Sequence, residues 1–419
     1  MSETQRMNRR SFLKETAAAA VAFSAVLPKE SRAQATGGPP VVCGLIGAGA
    51  QGRVLLAELA RMKDAKVAAV CDVYEPNLKK ALEIAEGAKT YDDYRQMLDG
   101  EKDAQAVLIA TPPHLHAEMC QAALKAGKHV LCEPPLALTV DDCKAIARAA
   151  KASDRILQVG YQRRYSPLYR HAITFVKTGV LGEPKMVRAV WHVNRSWRKV
   201  VKDPKNEPLL NWRLYKSTSG GLMAEHGSHQ LDVIHWFLKA TPLSVMGMGG
   251  IDRWQDGREV HDNVEALFQY PNGVKVVYSS MLSNGYEGNY ELFLGTHGAV
   301  LLTAEKKGYL FKEPEAAALG WELYAKKEKL GDAEGIHIDV NASKLLKKGE
   351  EKGPRAELID MTKSSFAYEL EEFLACVREG KKPSCDADAG LRAAVACIGA
   401  NEAIEKGTAV KFADGMFAL

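Results

Sequence analysis

From residue 41 to about residue 160, short apolar runs alternate with stretches whose apolar residues recur at helical spacing. The runs at 41–46, 66–71, 106–110, 129–132 and 156–160 have strand length, and the stretches at 54–62 and 117–126 between them read as helices. This is the βαβ rhythm of a parallel sheet, whose strands are buried on both faces and therefore lack polar alternation.

Beyond residue 161 the pattern changes to longer alternating segments at 186–194, 244–251, 263–270, 274–282 and 290–295. Alternation predicts strands with one buried and one open face, hence an open antiparallel sheet with helices on one side. Residues 304–364 are rich in Lys and Glu with little periodicity, and the expectation is a solvated excursion from that sheet. Two helices follow, at 366–378 and 389–405, around the turn residues Gly380 to Pro383. The expected architecture is α/β: an N-terminal Rossmann-type domain over 36–160, then an α+β domain over 161–419 with an open, mainly antiparallel sheet. The terminal helices are placed to return to the first domain. A chain of 419 residues suits two cores better than one.

The first 35 residues change the picture of charge and location. Asn8-Arg9-Arg10-Ser11-Phe12-Leu13-Lys14, a short apolar stretch and Ala33-Gln34-Ala35 read as a twin-arginine signal, so export to the periplasm or another extracytoplasmic space is expected. Residues 1–35 hold six basic and three acidic side chains, so without them the formal charge falls from +4 to +1. That leaves no basic excess for a nucleic-acid partner. No apolar run of about 20 residues predicts a membrane span in the mature protein. Export would favour disulfides, but Cys43, Cys71 and Cys132 lie in the apolar runs and none of the 8 cysteines forms a C-x-x-C pair. Mostly free thiols and no metal site are expected.

The chemistry begins where the first strand ends. The run at 41–46 leads directly into Gly47-Ala48-Gly49-Ala50-Gln51-Gly52 and a helix begins just after, which is the context a dinucleotide-binding turn requires. Gly47 suits the tight turn, Gly49 a close approach to the pyrophosphate, and Gly52 helix–strand packing. Asp72 ends the second strand 20 residues after Gly52. Its carboxylate suits ribose hydroxyls and repels a 2′-phosphate, so NAD is expected over NADP.

Further on stand Ala110-Thr111-Pro112-Pro113-His114-Leu115-His116, then Gly127 to Glu133, then Gly220-Gly221 with Glu225, Gly227, His229 and Asp232. Together with the glycine turn and Asp72, these resemble the glucose-fructose oxidoreductase, inositol dehydrogenase and MocA family, over nearly all of 41–419. The resemblance implies that Thr111, Pro112, His116 and Glu133 line the nicotinamide half of the cofactor site. It also implies a Glu-Lys-Pro whose lysine assists at the substrate hydroxyl, where this chain has Glu133-Pro134-Pro135. Proline carries no proton and no charge, so it cannot replace that lysine. Family members place an aspartate four residues before a histidine; here the pair is Glu225 and His229. On one helix such residues share a face, so Glu225 is expected to orient His229 while the imidazole exchanges a proton with substrate. His226 is the rival base.

Arg163, Arg164 and Tyr165, at the start of the second domain, and Trp212-Arg213, a stacking face beside a bidentate donor, are the expected substrate contacts. The leading expectation is an NAD-dependent oxidoreductase acting on a carbinol carbon of a sugar, cyclitol or glycoside, with catalytic His229 and Glu225 and a cofactor retained through export. Two alternatives stand beside it: a redox-neutral glycosidase working by transient oxidation and elimination, and a non-catalytic sugar or NAD binder. An open sheet face makes a homo-oligomer expected.

Overall fold

The computed structural model describes residues 38–317, 322, 325–339, 360 and 362–419; the expected signal segment lies outside the described residues. The first sheet is built from β1 (Val41–Ile46), β2 (Ala65–Cys71), β3 (Lys89–Tyr91), β4 (Ala106–Ile109), β5 (His129–Cys132) and β6 (Leu157–Val159), all parallel. Their order is β3-β2-β1-β4-β5-β6. The order reverses between β1 and β4, and that switch point opens a crevice beyond the carboxyl ends of the strands. The helices between them are α1 (Ala50–Ala60), α2 (Glu75–Leu82), α3 (Tyr94–Gly100), α4 (His116–Lys125) and α5 (Val140–Ala152). The start of α5 is fixed by Thr139, whose hydroxyl accepts from Asp142 N–H, with Asp141 and Asp142 in the first turn against the helix dipole.

After α6 (Pro167–Lys177) comes a sheet of β7 (Pro184–His192), β8 (Ser244–Gly250), β9 (Asn263–Gln269), β10 (Lys275–Met281), β11 (Asn289–Gly295), β12 (Gly298–Thr303), β13 (Lys307–Lys312), β14 (Lys327–Leu330), β15 (Ala333–His337) and β16 (Val410–Lys411). Its order is β14-β15-β13-β12-β11-β7-β10-β9-β8-β16, antiparallel except for β7 beside β10. Helix α7 (Ser228–Leu238) lies between β7 and β8 in sequence. The chain closes with α8 (Ser365–Glu379) and α9 (Ala387–Lys406) before β16.

Burial follows the pleat. In β9, Val264, Ala266 and Phe268 are buried while Glu265, Leu267 and Gln269 are exposed. Both terminal helices return to the parallel sheet. Leu370, Phe373 and Leu374 of α8 pack with Leu55, Leu56 and Leu59 of α1, while α9 contributes Leu391 and Val395 to one core and Ala400 and Ile404 to the other. One helix thus belongs to both domains.

The expectation for 304–364 needs correction. Within it β13, β14 and β15 extend the sheet, with Tyr309, Leu310 and Ile336 buried. Their Lys and Glu residues face outward on short edge strands, where charge protects the unpaired edge and hides the periodicity. Most of 340–361 lies outside the described residues. All eight cysteines are buried free thiols. Among the described residues no helix is long and apolar enough to cross a membrane, and no group of three His, Cys, Asp or Glu could hold a metal ion.

Candidate active site at the domain cleft

The glycine turn follows β1 as its sterics demand. Gly47 has φ +92°, and a Cβ there would lie 2.7 Å from the Ala110 carbonyl; a Cβ on Gly52 would lie 1.9 Å from Gly47 O. At Gly49 a Cβ would meet nothing within 4 Å, so the turn presents an open cradle at the N-terminus of α1. That cradle, with helix N–H groups at its floor, fits the pyrophosphate of a dinucleotide. Ala50 and Gln51 begin the helix. Asp72, at the end of β2, accepts from Ala48 N–H at 2.8 Å, Tyr74 N–H at 2.8 Å and Asn77 Nδ2 at 3.1 Å. The carboxylate is thereby locked against the turn, on the side where a ribose would lie.

Thr111 and Pro112 follow β4 and Glu133 follows β5, at the carboxyl edge of the sheet. Gln51 Nε2 donates to Glu133 Oε1 at 3.0 Å, so the glycine turn is linked to the loop after β5. Burial raises the Glu133 pKa to about 7; the Gln51 hydrogen bond opposes this and the charge of Glu225 adds to it. His116 differs from its expected place. It is fully buried, with Nδ1 2.9 Å from Pro135 O and Nε2 2.9 Å from Thr111 O, and so ties the two strand-end loops together behind the crevice. It shapes the pocket and does not line it.

The second domain supplies a π-helical turn, Met223–Gly227, that runs into α7, a wide-turn distortion that recurs at functional sites. Here the expected partnership of Glu225 and His229 needs correction. The Glu225 carboxylate accepts from Arg213 Nε at 2.6 Å, and Arg213 lies 4.1 Å over the Trp212 ring. His229 is half-buried between Tyr161 (centroids 5.6 Å, edge-on) and Trp191 (5.9 Å). Its Nδ1 is shielded and unpartnered, which leaves Nε2 as the accessible nitrogen. Burial, and then the Arg163 charge, lower its pKa to about 3, so the imidazole is neutral. The rival His226 is pinned, stacked on Trp191 at 4.5 Å with Nδ1 3.0 Å from Ser280 Oγ.

Three expected substrate contacts are structural instead. Arg163 is buried between Glu291 and Glu305, at 2.5 and 2.9 Å. Arg164 binds Asp232 of α7 through Nε and Nη2 at 2.7 Å each. Tyr165 is 1% exposed in the core beneath them. A buried guanidinium requires a carboxylate partner, and both have one: Arg163 through its two Nη atoms and Arg164 through Nε and Nη2.

One residue gave no sequence signal. Lys199 lies in an aperiodic segment, its backbone N–H and C=O clamped by the buried side chain of Asn211 at 2.7 and 3.0 Å. Partial burial, and then the charges of Arg213, Arg53 and Arg195, lower its pKa. Its side chain is largely exposed, within charge range of Arg213.

Two family models cover the chain: the oxidoreductase family's NAD-binding Rossmann fold over residues 41–161, and its C-terminal alpha/beta domain over 174–412. The chain belongs to the Gfo/Idh/MocA oxidoreductase family. It is 24% identical to the myo-inositol 2-dehydrogenase of Thermotoga maritima over 375 residues, 88% of this chain and 97% of that protein. Over 198 residues it is 33% identical to the inositol 2-dehydrogenase of Salmonella typhimurium, covering 46% of this chain and 54% of that one. Among solved structures, a levoglucosan dehydrogenase in complex with NADH and levoglucosan matches its fold with a TM-score of 0.69 at 22% identity, over 89% of this chain and 99% of that one.

Proposed function

We propose that this family member is an exported NAD-dependent oxidoreductase that acts at a carbinol carbon of a sugar, cyclitol or glycoside and keeps its cofactor bound. The observation that carries the reading is His229, a neutral imidazole with an accessible Nε2, on the helix that follows the Glu225–Arg213 pair. Gly47, Gly49, Ala50, Gln51, Gly52, Asp72, Thr111, Pro112 and Glu133 would hold the dinucleotide. Bound nicotinamide supplies the acceptor for hydride from the carbinol carbon.

The chain's own residues handle the proton and the charge. His229 Nε2 takes the hydroxyl proton. Arg213, fixed by Glu225 and Trp212, orients the substrate's oxygens. Pro134 contributes no charge, and Lys199 stabilises the oxygen as it loses its proton. Asp72 on the ribose supports NAD over NADP. The twin-arginine pattern supports export with cofactor already in place, because free NAD is not supplied outside the cytoplasm.

The test is turnover of a sugar and cyclitol panel, followed through nicotinamide absorbance and fluorescence of the purified protein. His229→Gln and Lys199→Met are each expected to lower kcat/KM by roughly 10²–10⁴-fold with NAD binding intact. Full activity in both variants, or no binding of NAD, refutes the reading.

A second reading is favoured by one observation. Glu133, with a pKa near neutrality beside Glu225, is a carboxyl that can give or take a proton at C2 or at a leaving group. Transient oxidation at C3 would then permit glycoside elimination. Aglycone release without net NADH distinguishes it.

A further inference from the structure

Asp72 belongs to a closed ring of hydrogen bonds. Its Oδ2 accepts from Ala48 N–H at 2.8 Å and from Asn77 Nδ2 at 3.1 Å. Asn77 Oδ1 in turn accepts from Arg53 Nη1 at 3.2 Å, and the same Nη1 donates to Ala48 O at 2.7 Å. Ala48 and Arg53 belong to the glycine turn and α1, Asp72 and Asn77 to the end of β2 and α2.

The Asn77 amide can stand between the two charges in one orientation only. A guanidinium has donors alone and an ionised carboxylate acceptors alone, so the amide turns its oxygen to Arg53 and its nitrogen to Asp72. It is a neutral spacer: both charged groups bond to the same side chain, and among the described residues they make no ion pair with each other. Arg53, Asp72 and Asn77 are each half-buried, so the ring sits at the rim of the crevice and not in a core. With the amide removed, the Ala48 carbonyl alone among these partners would hold the guanidinium.

The spacer matters to a ligand. An ionised carboxylate offers about four lone-pair sites. Ala48 and Asn77 take two on Oδ2, and Tyr74 N–H takes one on Oδ1 at 2.8 Å, which leaves a site on Oδ1 for a ribose hydroxyl. With Arg53 held away, the carboxylate also keeps its charge against a 2′-phosphate. Arg53 by itself has the opposite preference, because a guanidinium near the ribose accommodates that phosphate with forked hydrogen bonds.

We propose that Asn77 is a specificity-determining residue: by holding Arg53 off Asp72 it keeps the carboxylate free for the ribose and the guanidinium away from a 2′-phosphate, and so sets the preference for NAD over NADP. This rests on the NAD-dependent reading above and adds the residue that enforces it. Without the amide, Arg53 turns onto Asp72, cancels its charge and presents the guanidinium to the phosphate.

Fluorescence titration of the purified protein with NADH and NADPH tests this through the ratio of the two dissociation constants, which does not depend on the active fraction of a sample. Wild type is expected to prefer NADH. Asn77→Ala should lower that preference at least tenfold, chiefly by tightening NADPH, and Asn77→Ser, too short to reach both partners, should act in the same direction. Adding Arg53→Gln to Asn77→Ala should restore the preference, and Arg53→Gln alone should leave it at or above that of wild type. A merely structural Asn77 would weaken both cofactors alike. An unchanged ratio in both Asn77 variants, or a lowered one that Arg53→Gln fails to restore, overturns the proposal while the NAD-dependent reading stands. A wild type that prefers NADPH refutes that reading and the proposal with it.

Discussion

Gly49→Ala separates what the glycine turn needs for folding from what it needs for ligand. Gly49 has φ −59° and ψ −168°, an extended conformation that alanine adopts without strain, and its new methyl would meet no atom within 4 Å. Such a substitution stabilises a protein by about 0.4–1 kcal/mol through the unfolded chain. The apo Tm should therefore hold or rise by roughly 1–4 °C. The methyl occupies the cradle where the pyrophosphate is expected, and a tenfold loss of NAD affinity corresponds to about 1.4 kcal/mol. At NAD equal to 100 times the wild-type Kd, ligand stabilises wild type by about 2.7 kcal/mol and such a variant by about 1.4 kcal/mol. Gly52→Ala is the contrast, since its Cβ would sit 1.9 Å from Gly47 O. Forcing the backbone apart there costs about 3 kcal/mol, or roughly 6–12 °C in Tm. Thermal melts of apo protein with and without NAD, alongside a fluorescence titration, read both effects. Wild-type NAD affinity in Gly49→Ala would refute the assignment of the cradle.

Two further outcomes follow from burial and exposure. The folded pKa of Glu133, about 7, stands above its ordinary 4.5, so its contribution is intact below about pH 4.5 and is lost as pH rises through 7. The span is on the order of 3 kcal/mol, and Glu133→Gln, which keeps an acceptor for Gln51, should flatten the fall in Tm between pH 5 and 8; parallel curves for the two proteins would count against a buried, proton-bearing Glu133. On the open sheet face, Met246, Met248 and Leu267 are 50%, 79% and 42% exposed. Light scattering after size exclusion should find a homo-oligomer that Met248→Glu dissociates, and a monomeric wild type at micromolar concentration would rule that face out.

The parallel strands were legible because burial on both faces leaves an unbroken apolar run, as in Ala106–Ile109, where all four residues are buried. β3 left no such mark, because its three residues are exposed or half-buried at the sheet edge. The glycine turn and Asp72 were legible for a related reason: backbone sterics and a strand end restrict which residues fit. The second domain's part of the site was only half legible. Spacing of four suggested that Glu225 serves His229, but Arg213 reaches the carboxylate from twelve residues away, and a helical wheel holds no information about residues on another segment. Arg163 finds Glu291 at a separation of 128 residues, and Arg164 finds Asp232 at 68. Such pairs are set by how the sheets stack.

These buried pairs have a consequence for the chemistry. Arg164 follows β6 of the first sheet, and Asp232 lies on α7 three residues after His229. The guanidinium forked on the carboxylate ties the helix bearing the proposed base to the segment after β6, in the sheet whose neighbouring strands end at Thr111 and Glu133. Breaking a buried pair by removing one partner costs about 3–5 kcal/mol, whereas replacing both with apolar residues is often neutral. The pair's value therefore lies in registration more than in stability. α9 supports the same registration from the other side, since its two halves sit in different cores. A site divided between two domains can hold a reactive geometry only if such elements remove the freedom between them, and here they converge on the turn of α7 that carries His229.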